Sequence, residues 1–136
     1  RLFTGVEINA QLLDAEVHIL GYGFRPQHDA IQPYLQGQPA QGDHRRADRV
    51  IPAIQAAGGI AVLAHPARYR RSAPELIEGA ARLGIDGVET YYAYDNPGTW
   101  RPCPKQTPII RSLAQSLQLL TTCGTDTHGL NLTRRI

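Results

Sequence analysis

The sequence predicts an α/β fold, because segments typical of buried strands alternate with segments that have the period of a helix. Short apolar runs at residues 60–64, 88–92 and 119–123 predict strands. Between these runs, apolar residues recur at a spacing of three to four, as they do on one face of a helix. Strands that alternate with helices imply a parallel sheet or a barrel with right-handed crossovers.

Two further strands are predicted near the start of the chain. The segments from Val6 to Ile8 and from Val17 to Tyr22 are mostly apolar, and a polar turn around residues 11–14 separates them. Residues 26–42 are rich in Gln, Pro and Gly and lack a helical or strand period, so we expect a loop there. The predicted order is therefore two strands, a loop, and three helices that are each followed by a strand.

The predicted helices have recognisable starts. Pro52 inside the first helix would cost roughly 3 kcal/mol, so we expect this helix to begin near Asp48 and to hold the proline close to its first turn. Ser72 and Glu75 have the spacing of a capping box, which predicts the start of the second helix. Thr107, which is followed by a proline, opens the third helix.

Composition limits the class of protein. A chain of 136 residues with 42% hydrophobic residues provides one domain or less, and no apolar run is long enough to cross a membrane. A net charge of +2 does not by itself indicate nucleic-acid binding. Cys103 and Cys123 lie far apart, so we expect reduced thiols and a cytoplasmic protein. Because the chain opens on Arg1 and contains no methionine, we expect it to begin inside a longer protein.

Five side chains within strands or at strand ends are candidate metal ligands. His65 directly follows a predicted strand. Asp126 and His128 follow the last strand, and the carboxyl ends of parallel strands carry the chemistry of α/β proteins. Glu7 and His18 lie between apolar neighbours in the first two strands. Five such side chains suggest a polynuclear metal site.

Each candidate also has a simpler explanation. A carboxylate such as Glu7 can lie on the solvent side of a strand, which alternation alone would produce in roughly half of such cases. His18 can be a core or surface histidine whose hydrogen bonds are satisfied. Asp126 or Thr127 can instead be the N-cap of a helix.

Histidine nitrogens together with carboxylate oxygens suit Mn, Fe or Zn ions better than Ca or Mg ions. Several such ions side by side suit phosphoryl chemistry. Arg68, Arg70 and Arg71 follow His65, and a solvated surface loop is the alternative role for two of the three. We predict Arg68 and Arg70 as phosphate-binding residues through bidentate hydrogen bonds. Glu89, in the next strand, is interpreted as a packing or hydrated residue.

The order of five short segments is informative beyond each segment alone. They are residues 5–8 (GVEI), 17–21 (VHILG), 57–66 (AGGIAVLAHP), 85–89 (IDGVE) and 124–129 (GTDTHG). In this order they resemble successive motifs of the PHP (polymerase and histidinol phosphatase) family, and are most similar to its stand-alone phosphoesterases, which act on nucleotides or RNA. The resemblance implies a distorted (β/α)7 TIM-like barrel with a trinuclear metal centre at the strand C-termini.

The resemblance also implies a role for each ligand. Glu7 would bridge two metal ions, and His18 and His65 would complete one of those two sites. Asp126 would ligate the other ion of that pair, and His128 would serve the third.

Two departures from the family pattern concern the rest of the domain. The family's opening His-x-His motif and later Asp-His motif would precede residue 5, so we expect residues 1–136 to be the C-terminal portion of one domain whose N-terminal part is absent. Only the site of Glu7, His18 and His65 would then be complete. Residues 25–43 would form a short loop where nucleotide-hydrolysing relatives carry a long insertion.

The sequence therefore predicts a metal-dependent phosphoesterase that hydrolyses a phosphate ester, of a nucleotide or a short RNA, by attack of metal-bound hydroxide. A metal-dependent hydrolase that cleaves C–N bonds and a non-catalytic metal- or ligand-binding module are the alternatives. Up to three divalent ions are expected in the intact protein, and no feature indicates a membrane or a protein partner. We expect the chain alone to be weakly stable and inactive, because an open half-barrel leaves sheet edges unpaired.

Overall fold

The computed structural model describes residues 2–128, in which five strands form one sheet and three α-helices lie between them. The strands are β1 (Gly5–Leu12), β2 (Ala15–Tyr22), β3 (Ile60–Leu63), β4 (Gly87–Tyr91) and β5 (Leu120–Cys123), and the helices are α1 (Ala47–Ala56), α2 (Ala73–Arg82) and α3 (Gln106–Ser116). All the predicted strands and helices are present in the predicted order. The strand β1 is longer than expected, so the hairpin turn shrinks to Leu13 and Asp14.

The strands lie in chain order across the sheet, but they do not all run in parallel. β3, β4 and β5 are parallel neighbours, whereas β1 pairs antiparallel with β2, and β2 pairs antiparallel with β3. The two-residue turn can join only antiparallel strands. Residues 23–59 leave and re-enter the sheet at the same end, so Tyr22 pairs with Ile60. The expectation of a parallel sheet is therefore wrong for β1 and β2, and the barrel stays a prediction.

The helices pack against one face of the sheet. On that face, Ile8 of β1, Ile19 of β2, Leu63 of β3 and Val88 of β4 belong to one buried core. The helices contribute Val50, Ile51, Ile54, Leu76, Ile77 and Ile110 to the same core. Because successive side chains of a strand point to opposite faces, the neighbours of these strand residues lie on the other face. That second face is the one that carries Glu7, His18 and Glu89.

The segment predicted as a loop at residues 26–42 contains a short 3-10 helix, Asp29–Tyr34. Its side chains Ile31 and Tyr34 are buried in the core, and the segment packs against α1. Six residues of 3-10 helix, about two turns, are too short to display a period in the sequence, which is why the pattern did not predict this helix. A second short turn, Gly42–Arg45, leads into α1.

The predicted helix starts agree closely with the structure. α1 begins at Ala47, one residue before the expected start, and Pro52 lies exposed in its second turn. The capping box of α2 is complete, since Ser72 Oγ accepts the backbone N–H of Glu75 and Glu75 Oε2 accepts the N–H of Ser72 at 3.2 Å. Within residues 2–128, none of the helices is long and apolar enough to span a membrane.

Candidate metal centre

Three of the predicted ligands, Glu7, His18 and His65, form a compact group. One potential ligand atom from each side chain lies within 4.8 Å of the corresponding atoms of the other two. The Nδ1 atom of His18 is 3.0 Å from Oε1 of Glu7, and the two imidazole rings meet edge to face with centroids 5.2 Å apart. One oxygen and two nitrogen donors within this distance make a possible metal site.

The hairpin register brings the first two ligands together. His18 is paired with Asn9 across the β1–β2 ladder, so Glu7, two residues before Asn9, is its diagonal neighbour on the same face of the sheet. Both side chains point away from the helices, which is also what the alternation of side chains along a strand would produce without a metal site. His18 is half-buried and Glu7 is exposed, so the site lies at the surface of this face.

His65 reaches the group from the end of β3. Its backbone has φ +25° and ψ 62°, in the left-handed region that residues with a side chain rarely adopt. Such a conformation costs about 1–3 kcal/mol and persists only where the surroundings hold it. The residue is 2% exposed, so its imidazole is enclosed by the neighbouring side chains. Tyr69 and Tyr92 contribute two of these, with ring centroids 5.5 Å and 5.2 Å from that of His65.

The group contains buried polar atoms without hydrogen bonds. Among the described residues, neither ring nitrogen of His65 has a hydrogen-bond partner, and neither does Nδ1 of His18. The Nδ1 atom of His18 does lie 3.0 Å from the Glu7 carboxylate, and the two form an ion pair when the imidazole is protonated. A buried polar atom without a hydrogen-bond partner costs about 1–3 kcal/mol. A metal ion bound between these side chains would give the ring nitrogens a partner, so the group fits a metal site.

Charge and burial set the protonation of these ligands. Burial, followed by the nearby charge of Arg68, lowers the pKa of the His65 imidazole to about 4. The close contact between His18 and Glu7 raises the pKa of His18 and lowers that of Glu7. His65 is thus neutral and Glu7 ionised near neutral pH, which are the forms that bind metal ions.

Asp126 lies beside this group in a network with Arg68 and Tyr92. Its Oδ2 atom accepts hydrogen bonds from Arg68 Nη1 at 2.7 Å and from the Tyr92 hydroxyl at 2.8 Å. Arg68 Nη1 also lies 3.2 Å from the Tyr92 hydroxyl oxygen. Residues 124–128 are not helical in the described chain, and the Asp126 side chain is only 14% exposed. The predicted phosphate-binding residue Arg68 thus contacts a predicted metal ligand.

The remaining two predicted site residues lie outside the compact group. His128 is 76% exposed, and its Nδ1 atom is 3.9 Å from Oδ1 of Asp126. Arg70 is 75% exposed and donates a hydrogen bond to the backbone carbonyl of Asp14, at the turn of the β1–β2 hairpin. The roles assigned to both residues stay predictions.

Glu89 and Tyr69 are two site residues whose positions the sequence did not indicate. Glu89 is 4% exposed, and its Oε2 atom accepts the backbone N–H of His65 at 2.8 Å. Burial raises the pKa of Glu89 to about 7. The hydroxyl of Tyr69 accepts the backbone N–H of His18 at 2.8 Å. The available signal for Glu89 was a carboxylate inside a strand expected to be buried, which requires a partner.

Comparison with known proteins supports the fold. No protein-family model matches the chain, and no match is found among curated proteins. A solved structure described as a metal-dependent phosphoesterase from Bifidobacterium adolescentis is similar over 98% of this chain and 73% of its own, with a TM-score of 0.71 and 20% identity. An amidohydrolase from Chromobacterium violaceum, solved with bound sulfate and no metal, is similar over 93% and 67%, with a TM-score of 0.69 and 18% identity. The mixed α/β fold is therefore like that of metal-dependent hydrolase structures.

Proposed function

We propose that this chain belongs to a metal-dependent hydrolase of the PHP type that acts on a phosphate ester. The observation that carries the proposal is the compact group of Glu7, His18 and His65, in which the buried ring nitrogens of His65 lack hydrogen-bond partners among the described residues. The order of the sequence motifs supports it, and so does the fold shared with a protein described as a metal-dependent phosphoesterase.

The chain's own residues would divide the work as follows. Glu7, His18 and His65 would hold one divalent ion of Mn, Fe or Zn, and Asp126 and His128 would contribute to further ions. A bound ion of this kind supplies an acidified water molecule and offsets negative charge on the substrate. Tyr69 and Tyr92 would limit the access of water to His65, since their rings lie against the imidazole.

Arg68 is the reason for proposing a phosphate ester rather than another substrate. Its guanidinium lies next to Asp126, and its side chain remains 37% exposed, so it can contact a substrate as well as the carboxylate. Guanidinium groups bind phosphate oxygens through paired hydrogen bonds. We propose a nucleotide or a short RNA as the substrate because the motifs resemble phosphoesterases of that kind.

Hydrolysis of a C–N bond is the second candidate, because the same structure is described as an amidohydrolase. Substrate assays separate the two. The longest natural protein that contains this chain should be loaded with Mn²⁺ or Zn²⁺ and tested on phosphomonoesters, phosphodiesters, short RNA and amides. We expect turnover of a phosphate ester and its loss in His65→Ala. Turnover of amides alone would support the second candidate, and metal binding without any turnover would support a binding module.

A further inference from the structure

We propose that Glu89 is a positioning residue that fixes the backbone of His65, and that Gly124 keeps open the space in which the Glu89 carboxylate lies. The inference rests on the proposed metal-binding role of His65. Glu89 is not a member of the compact ligand group, so its contribution would be made through His65.

The first argument is the backbone of His65. Its φ of +25° is unfavourable for a residue with a side chain, so the surrounding structure must hold it. The backbone N–H of His65 donates to Glu89 Oε2 at 2.8 Å, in a buried environment. The next residue, Pro66, has no N–H to offer. The Glu89 carboxylate is therefore well placed to determine how the peptide turns and where the imidazole points.

The second argument is the close approach of Gly124 to the same carboxylate. A Cβ atom at position 124 would lie 2.0 Å from Glu89 Oε1, much closer than real atoms allow. Gly124 is also held on both sides of its backbone. Its N–H donates to the carbonyl of Tyr91 at 3.3 Å, and its carbonyl accepts the indole N–H of Trp100 at 3.2 Å. A side chain at 124 would thus displace Glu89 more readily than the backbone.

Together these contacts join two strand ends. One oxygen of Glu89 holds the end of β3 at His65, and the other lies against the start of the segment that leads from β5 to Asp126. The carboxylate acts here as a hydrogen-bond acceptor, for which an amide oxygen is an adequate substitute. A Glu89→Gln variant should therefore retain the position of His65, whereas Glu89→Ala should lose it.

The test compares Glu89→Gln, Glu89→Ala and Gly124→Ala with the unmodified chain. Zinc affinity is measured by calorimetry, and the amide resonance of His65 is followed by NMR in the metal-free protein. We expect Glu89→Gln to retain zinc affinity and a downfield His65 amide proton. Glu89→Ala and Gly124→Ala should each shift that proton upfield. Each should also weaken zinc binding by at least about tenfold, as happens at other metal sites when a residue that holds a ligand in place is lost.

A double variant makes the test sharper. Once Glu89 is alanine, the added Cβ of Gly124→Ala meets no carboxylate, so the second substitution should cause little further loss of zinc affinity. Independent, additive losses would overturn the role given to Gly124. If Glu89→Ala fails to fold, the comparison of Glu89→Gln with Gly124→Ala still decides the question, since only the second should move the His65 amide.

Four outcomes separate this inference from the proposed function. Equal loss of zinc affinity in Glu89→Gln and Glu89→Ala would overturn it, because a metal-ligating carboxylate behaves in that way. An unchanged His65 amide in Glu89→Ala would overturn it as well. If the variants show the expected order of zinc affinities but the intact protein hydrolyses no substrate, the proposed phosphoesterase activity is refuted and the positioning role of Glu89 is supported. If the unmodified chain binds no zinc, the metal site is refuted and the amide resonance alone decides the role of Glu89.

Discussion

The two faces of the sheet are formed by alternate residues of the same strands, yet their chemistry is opposite. In β2, Val17 and Ile19 are fully buried against the helices. His18, between them, lies on the other face, where its Nδ1 atom is 3.0 Å from the Glu7 carboxylate. The first face is covered by apolar side chains of the helices, whereas the second carries buried polar atoms that lack hydrogen-bond partners among the described residues. A single strand therefore provides stability with one set of side chains and a candidate binding site with the other.

Ile19→Ala should give the largest effect, and it should affect stability alone. Loss of a fully buried isoleucine should lower the free energy of unfolding by about 2–5 kcal/mol, measured by urea denaturation. Ile19→Val, as a graded control, should cost about 0.5–1.5 kcal/mol. Zinc affinity of the folded protein should change by less than about threefold in both variants, because Ile19 lies on the helix face. A loss of zinc affinity that grows with the truncation would show that the faces are coupled.

His18→Ala should have the complementary effect. Zinc affinity should fall by at least about 100-fold, or about 2.7 kcal/mol, because one of three ligands is lost. The unfolding free energy of the metal-free protein should change by less than about 1 kcal/mol, since the ion-pair contact that His18 makes with Glu7 lies at the surface. Zinc should raise the Tm of the unmodified protein but not of the variant. His44→Ala, in the turn before α1, is the matched control and should retain zinc binding.

Arg68→Gln should affect the ligand-bearing face without removing a metal ligand. Loss of the guanidinium beside Asp126 should raise the inhibition constant of inorganic phosphate by about tenfold, the equivalent of one charge-assisted hydrogen bond. Zinc affinity should change less than in His18→Ala. An unchanged inhibition constant would contradict the assignment of Arg68 as a phosphate-binding residue.

Arg70→Gln should have the smallest effect. Its side chain is exposed and contacts Asp14 at the hairpin turn, so stability should change by less than about 0.5 kcal/mol. The inhibition constant of phosphate should stay within about twofold, measured alongside Arg68→Gln. A tenfold increase would instead support the sequence prediction that Arg70 binds phosphate.

The sequence predicted features that depend on local patterns. The apolar run before His65 placed this residue at a strand end, and the spacing of Ser72 and Glu75 placed a helix start. The apolar neighbours of Glu7 and His18 placed both residues in strands. Each of these features is set by residues close together in the chain, for which side-chain period and capping are direct evidence.

Features that depend on distant residues were not predictable in this way. The direction of β2 relative to β3 depends on how residues 23–59 return to the sheet, and no local pattern records it. Gly124 and Glu89 come close together although Glu89 lies in β4 and Gly124 follows β5, so the sequence around either residue does not predict their contact. Arg68 and Arg70 differ by two positions but contact Asp126 and Asp14 respectively, since Arg68 is the last residue of the short helical turn Pro66–Arg68 and Arg70 lies beyond it.

The hydrogen bond from Trp100 to Gly124 gives the protein an internal optical reporter. Trp100 is the only tryptophan in the sequence, and its indole N–H donates to the carbonyl next to the Asp126 segment. Its fluorescence emission therefore senses the polarity and hydrogen bonding at that point of the chain. Movement of the segment on metal loading would shift the emission maximum without any attached dye, so binding can be followed in real time on the unlabelled protein.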